Sequence, residues 1–171
     1  MKTLIKLIGI VCLSYSLLHA GTYLVALQAN NGMYFCAENG GGGDLNANRT
    51  AFGPWETFIM EDLWAGSATI DNGDPIGIRA QSTNKYWCTD PRTLGVSVNR
   101  DVRGAWETFI NLGYVQTGYW IRFLAQGVGP NCYIYARYGG GDGVKWGSFE
   151  GSAAVCYFKV TILAYDPLPA P

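Results

Sequence analysis

Apolar residues along this chain come in short runs separated by turn residues, and nowhere does a helical period persist for more than a turn or two. Tyr23 to Ala29 is apolar and β-branched enough for a strand, and Asn30-Asn31-Gly32 is a tight-turn sequence in which Gly32 can take positive φ. Tyr34 to Ala37 predicts a second strand. Gly40 to Gly43 suits neither helix nor strand and predicts a loop whose backbone approaches something closely. Leu45 to Asn48 predicts a third strand, Gly53-Pro54 a turn, and Glu56 to Met60 a fourth.

The pattern then repeats. Trp55-Glu56-Thr57-Phe58 returns letter for letter as Trp106-Glu107-Thr108-Phe109, 51 residues on. Tyr34-Phe35-Cys36 matches Tyr86-Trp87-Cys88, Asn48-Arg49 matches Asn99-Arg100, and Val25 to Ala29 matches Ile76 to Ala80. Ser82-Thr83-Asn84 supplies the second turn, Asp90-Pro91-Arg92 stands where the glycine run was, and Val96-Ser97-Val98 alternates as a strand does. A third, worn copy contains Ile121 to Ala125, a longer turn from Gly127 to Asn131, Tyr133 to Ala136, a glycine run from Gly139 to Gly143, and Phe158. It lacks the Trp-Glu and Asn-Arg pairs, and Val155-Cys156 stands at the former.

Three units of about 50 residues, approximately 21–70, 71–117 and 118–165, predict an all-β fold of the β-trefoil kind, with twelve short strands. A single large sandwich is the competing arrangement, but it has no need of such a repeat. No unit alone can bury its apolar face, so the three are expected to fold together as one domain.

The first 20 residues read as a secretory leader: Lys2 and Lys6, an apolar stretch from Leu7 to Leu18, then Ala20. Residues 166–171 form a proline-rich tail. Without the leader the chain carries 10 basic and 13 acidic residues, a net charge of −3 with no basic patch, which argues against nucleic acid as a partner. No further long apolar run follows, so membrane insertion is not expected, and a secreted monomer is. The only histidine, His19, lies in the leader. Histidine-based triads are thereby excluded, ordinary zinc sites are disfavoured, and neither cofactor nor metal is expected.

Four cysteines remain, which an exported protein can pair. Cys36 and Cys88 are repeat equivalents, expected either as buried thiols or as a bridge near a symmetry axis. Cys132 and Cys156 both lie in the third unit and form the preferred disulfide.

The stretch from Asn31 to Phe58, with its Asn-Gly turn, glycine run, Asn-Arg pair and Trp-Glu-x-Phe, resembles the repeat of fascin-like β-trefoil domains. Its pattern is nearest to β-trefoil carbohydrate-binding modules of family 92. The likeness is strong in the first unit, good in the second and poor in the third. It implies an exported, non-catalytic module with up to three equivalent sites for β-1,3- and β-1,6-glucans, each using a tryptophan and a glutamate. Fascins themselves bundle actin with four such domains in the cytosol, so a filament-crosslinking or protein-interaction trefoil is the second expectation. A secreted inhibitor of a hydrolase is the third.

Sugar recognition needs a flat aromatic for the C–H face of the ring and polar groups for its hydroxyls. Trp55 with Glu56 and Trp106 with Glu107 place both chemistries side by side. Asn48, Arg49, Asn99 and Arg100 can line the same pockets, and Trp146 is the candidate platform of the third unit. The other reading of these residues is structural: the glutamates accept main-chain N–H groups and pin a loop, the arginines pair with them, and the Asn-Arg pairs cap hairpins. Asn48-Arg49-Thr50 is also a glycosylation sequon, and a glycan there would obstruct the first site. Glycoside hydrolysis is not expected, because it requires two carboxylates about 5–10 Å apart and repeat-related Glu56 and Glu107 should lie far from each other.

Overall fold

A computed structural model describes residues 21–64, 69–148 and 153–165. The expected leader with Cys12 and His19, and the proline-rich tail, lie outside the described residues. The described chain is all-β, with twelve strands. The first unit supplies β1 (Thr22–Gln28), β2 (Tyr34–Ala37), β3 (Leu45–Arg49) and β4 (Thr57–Asp62). The second supplies β5 (Pro75–Ala80), β6 (Tyr86–Cys88), β7 (Ser97–Arg100) and β8 (Thr108–Leu112). The third supplies β9 (Trp120–Ala125), β10 (Cys132–Ala136), β11 (Val144–Ser148) and β12 (Phe158–Tyr165).

The first and last strand of each unit build a closed, six-stranded antiparallel barrel. β1 pairs with β4 and β12, β5 with β4 and β8, and β9 with β8 and β12. Closure satisfies every strand on both sides and removes the edges that a sandwich of these strands would expose. The middle strands form three hairpins, β2–β3, β6–β7 and β10–β11. The hairpins meet one another through main-chain bonds: Leu45 N–H donates to Val96 O, and Val96 N–H to Val144 O. Bridges Asp44–Ser97, Gly95–Lys145 and Asn46–Gly143 join them pairwise.

Alternation sends one side chain in two inward, and repeat-equivalent positions fill the interior in layers. Phe58, Phe109 and Phe158 are one equivalent set, Leu27, Ile78 and Phe123 another, and Phe35, Trp87 and Ile134 a third; all nine are fully buried. Trp87 lies 5.8, 5.1, 6.4 and 6.1 Å, centroid to centroid, from Phe35, Phe58, Phe109 and Phe123. Its indole N–H has no hydrogen-bond partner, a desolvation cost that the ring's packing must offset.

The glycine runs make the close approach that the sequence predicts. Ser82 and Thr83 hydroxyls, in the β5–β6 turn, both donate to Gly40 O. Asn31, in the β1–β2 turn, donates its N–H to Gly139 O at 3.1 Å. Each glycine run therefore seats the first turn of a neighbouring unit.

The preferred disulfide is not formed: Cys36, Cys88, Cys132 and Cys156 are all free and buried. Cys132 opens β10 with Sγ turned to the carbonyl oxygens of Val128 and Pro130, at 3.9 and 3.7 Å. Cys156 ends a 3₁₀ turn at the repeat position of Glu56 and Glu107, so its place is set by that turn and not by a partner thiol.

Candidate functional site

Gly53-Pro54-Trp55-Glu56 is a tight turn closed from inside. Glu56 N–H donates to Gly53 O at 3.1 Å, and Gly53 N–H donates back to Glu56 Oε2 at 2.8 Å. Thr57 Oγ1 adds a bond to Gly53 O at 2.7 Å. Gly104-Ala105-Trp106-Glu107 reproduces this atom for atom: Gly104 N–H to Glu107 Oε2 at 2.8 Å, and Thr108 Oγ1 to Gly104 O at 2.8 Å. The tryptophan carbonyls are also engaged, Trp55 O by Ala37 N–H at 2.8 Å and Trp106 O by Thr89 N–H at 2.9 Å. The motif is thus a clasp holding the start of β4 to β2 and the start of β8 to β6. The sequence places Glu56 at the head of a strand; the capping bond draws it into the turn, and β4 begins at Thr57.

Both glutamates are buried, 7% and 5% exposed, and behind each stands an arginine. Arg49 Nε lies 3.7 Å from Glu56 Oε1, and its Nη2 is 2.9 Å from Glu38 Oε2. Arg100 Nε lies 3.7 Å from Glu107 Oε1, and its Nη2 is 3.2 Å from Asp90 Oδ2. Asn48 Oδ1 accepts from Arg49 Nη1 at 2.7 Å, whereas Asn99 Oδ1 accepts from Ser97 at 3.2 Å and its side chain is exposed. Arg92 binds Asp90 with a forked pair, which with Arg100 holds that carboxyl at about 2.

A buried thiol completes each cluster. Burial, then a hydrogen bond to Glu56, pushes Cys36 up to about 12. Burial and the bond to Glu107 push Cys88 to about 11, less far because Arg100 Nε stands 3.4 Å from its sulfur. Neither sulfur is a nucleophile at neutral pH. In the third unit Tyr135, Cys156, Ser148 and Arg137 occupy the positions of the cysteine, glutamate, arginine and acid, so no such cluster forms there.

The indoles differ from one another. Trp55 is 44% exposed, with its Nε1 edge against Gly40, where a Cβ would stand 3.0 Å away. Trp106 is half-buried; its edge lies on Gly127, and the Arg92 guanidinium stands 5.9 Å above its ring. Trp146 presents no platform. It is 8% exposed, its N–H has no partner, and it sits on β11 at the inward position that Ala47 and Val98 hold in the other units. The alternation Leu45-x-Ala47, Val96-x-Val98, Val144-x-Trp146 carries that information in the sequence.

Reading from sequence missed Glu38 and Asp90, although each follows its repeat cysteine by two residues. It also missed a polar cavity of about 420 Å³ where the hairpins meet, which brings Asn99 and Arg100 together with Asp44 and Lys145. Among the described residues no group of histidine, cysteine or acidic side chains is placed to hold a metal ion, and no helix is long and apolar enough to cross a membrane.

No protein-family profile matches the chain, and no curated protein matches it by sequence. Solved structures do. A designed threefold-symmetric protein, ThreeFoil, superposes with a TM-score of 0.62 at 14% identity, covering 80% of this chain and 96% of that one. An SDF2-like protein from Arabidopsis thaliana gives 0.60 at 10% identity, over 84% and 93%. A GlcNAcα1-4Gal-releasing endo-β-galactosidase from Clostridium perfringens gives 0.62 at 11% identity, over 84% of this chain and 33% of that much longer one. At such identities the likeness is one of fold, and it defines an all-β, trefoil-like protein.

Proposed function

We propose that this protein is a β-trefoil proper and a non-catalytic carbohydrate-binding module of the exported kind, with β-glucan as its first candidate ligand. The observation that carries the reading is Trp55: a large flat ring, 44% exposed, on a turn in which Gly53 N–H, Gly53 C=O, Glu56 N–H and the Trp55 carbonyl are all bonded. An indole held rigidly at the surface can stack on a sugar face with little ordering cost. The division of labour differs from the simplest form of the motif. Glu56 and Glu107 are held by main-chain N–H groups and arginines, so they act as clasps that aim the indoles. Hydroxyl partners come instead from Arg49 and Asn48 at the first site and from Asn99 and Arg100 at the second, the arginine side chains being 37% and 36% exposed. Trp106, with Arg92 over its ring, is the weaker platform. Two modest sites on one chain raise retention on a polymer through effective concentration.

The test is retention on insoluble β-glucan by wild type, Trp55→Ala and Trp106→Ala. With aromatic ring contacts worth about 0.5–1.5 kcal/mol, Trp55→Ala should weaken retention roughly two- to tenfold, and Trp106→Ala less. Wild type remaining in solution with every polysaccharide tried, or Trp55→Ala pelleting as fully as wild type, defeats the reading.

A further inference from the structure

The cavity where the hairpins meet is built by all three units. Asp44 comes from the β2–β3 hairpin, Asp90, Ser97, Asn99 and Arg100 from the second unit, and Lys145 from β11. Two of the bridges that lock the hairpins together, Asp44–Ser97 and Gly95–Lys145, run along its wall, so its shape is fixed by main chain. At about 420 Å³ it has the size of a small-molecule pocket, and no indole lines it.

Its charges are not equally available. Asp90 is fully engaged by Arg92 and Arg100. Lys145 has no carboxylate within ion-pair distance among the described residues, and Asp44 has no cation. The Lys145 ammonium lies over the backbone of Gly95 and Gly143, 3.7 and 3.9 Å from where a Cβ would stand. One unspent cation and one unspent anion therefore face a common space from different units, and the wall between them offers hydroxyl and amide groups. A ligand that satisfies this lining carries a carboxylate for Lys145, with Arg100 adding positive field. It also carries hydroxyls whose protons Asp44 can accept and whose oxygens Ser97 and Asn99 can meet. A plain zwitterion such as an amino acid would answer the two charges but leave the hydroxyl and amide wall, and much of the volume, unused.

From this juxtaposition we infer that the hairpin junction is a binding site for a hydroxylated carboxylate of hexuronate size, free or as the end residue of a polyuronide. The site goes beyond the indole platforms: it shares Asn99 and Arg100 with the second of them but turns on Lys145 and Asp44, which neither platform uses, so Lys145→Gln and Trp55→Ala let the two readings fail separately.

The experiment is calorimetric titration of the purified protein at low salt with galacturonate, with a short galacturonate oligomer, and with glucose, glycine and sulfate as controls. One saturable galacturonate site is expected, weakened by added salt, and with glucose, glycine and sulfate all binding more weakly. Lys145→Gln should lose at least roughly tenfold in affinity, as expected for one charge-assisted bond. Lys145→Arg should restore most of it, and Trp55→Ala should leave it unchanged. An oligomer that binds more tightly than the monomer identifies the polymer end as the source; equal binding identifies the free acid. Lys145→Gln binding galacturonate as wild type does overturns the inference. So does an affinity for glucose, glycine or sulfate that equals that for galacturonate, or an absence of saturable binding.

Discussion

At the scale of single residues, the repeated Trp-Glu pair is two devices in one: a carboxylate that faces inward and a ring that faces out. The carboxylate shares its buried site with a thiol, and this gives the cluster a pH signature. Cys36 and Cys88 hold their protons up to about 12 and about 11, against 9.0 when unfolded, because a thiolate there would be dehydrated and set beside Glu56 or Glu107. Folded-state values above the unfolded ones mean that the folded chain binds these protons more tightly. The resulting stability is present in full below pH 9 and is lost as pH rises towards 11 and 12. Urea unfolding should therefore show a falling midpoint above pH 9, and replacing both cysteines with serine should flatten that fall. A midpoint with the same alkaline slope in the double variant would mean the thiols are not its source.

At the scale of elements, the fold is held together by loops that dock as much as by strands that pair. The glycine runs are informative because neighbouring glycines face different surroundings. At Gly41, φ is +114° and a Cβ would stand 2.1 Å from Thr83 Oγ1 in the next unit. At Gly42, φ is +115° but nothing lies within 4 Å of the same position. Alanine at either site meets nearly the same unfavourable φ, so the difference between them reports chiefly the docking contact. Gly42→Ala should cost about 1–3 kcal/mol. Gly41→Ala should cost clearly more, because Thr83 must move and its bond to Gly40 O is then lost. Equal urea midpoints for the two variants would show that the turn of the second unit does not need this seat.

At the scale of the whole molecule, what could be read in advance was whatever the repeat wrote more than once. The twelve strands were legible because copies of one pattern reinforce each other. So were the turn at Gly53-Pro54 and the close approach of the glycine runs. The clasp role of Glu56 and Glu107 was one of two open readings, since residue type alone does not say whether a carboxylate meets water or an N–H group. The cavity at the hairpin junction was not legible, because Asp44, Asn99 and Lys145 come from three units and become neighbours only on closure. The cysteine pairing failed for a related reason: an even count and a shared unit do not bring two sulfurs together. Trp87 makes the same point in the core. It stands where the first unit has Phe35 and the third Ile134, and it touches phenylalanines from all three units. One large ring filling the common centre makes the units depend on one another, so their unfolding should be a single event. Trp87→Ala should cost about 3–5 kcal/mol, and it should do so in one transition, with near- and far-ultraviolet circular dichroism moving together. The worn third unit supplies the sharper check, since it lacks both clasp and charge cluster. If its strands melted first while the others held, the two signals would separate in wild type, and the shared centre would not be what binds the three units into one.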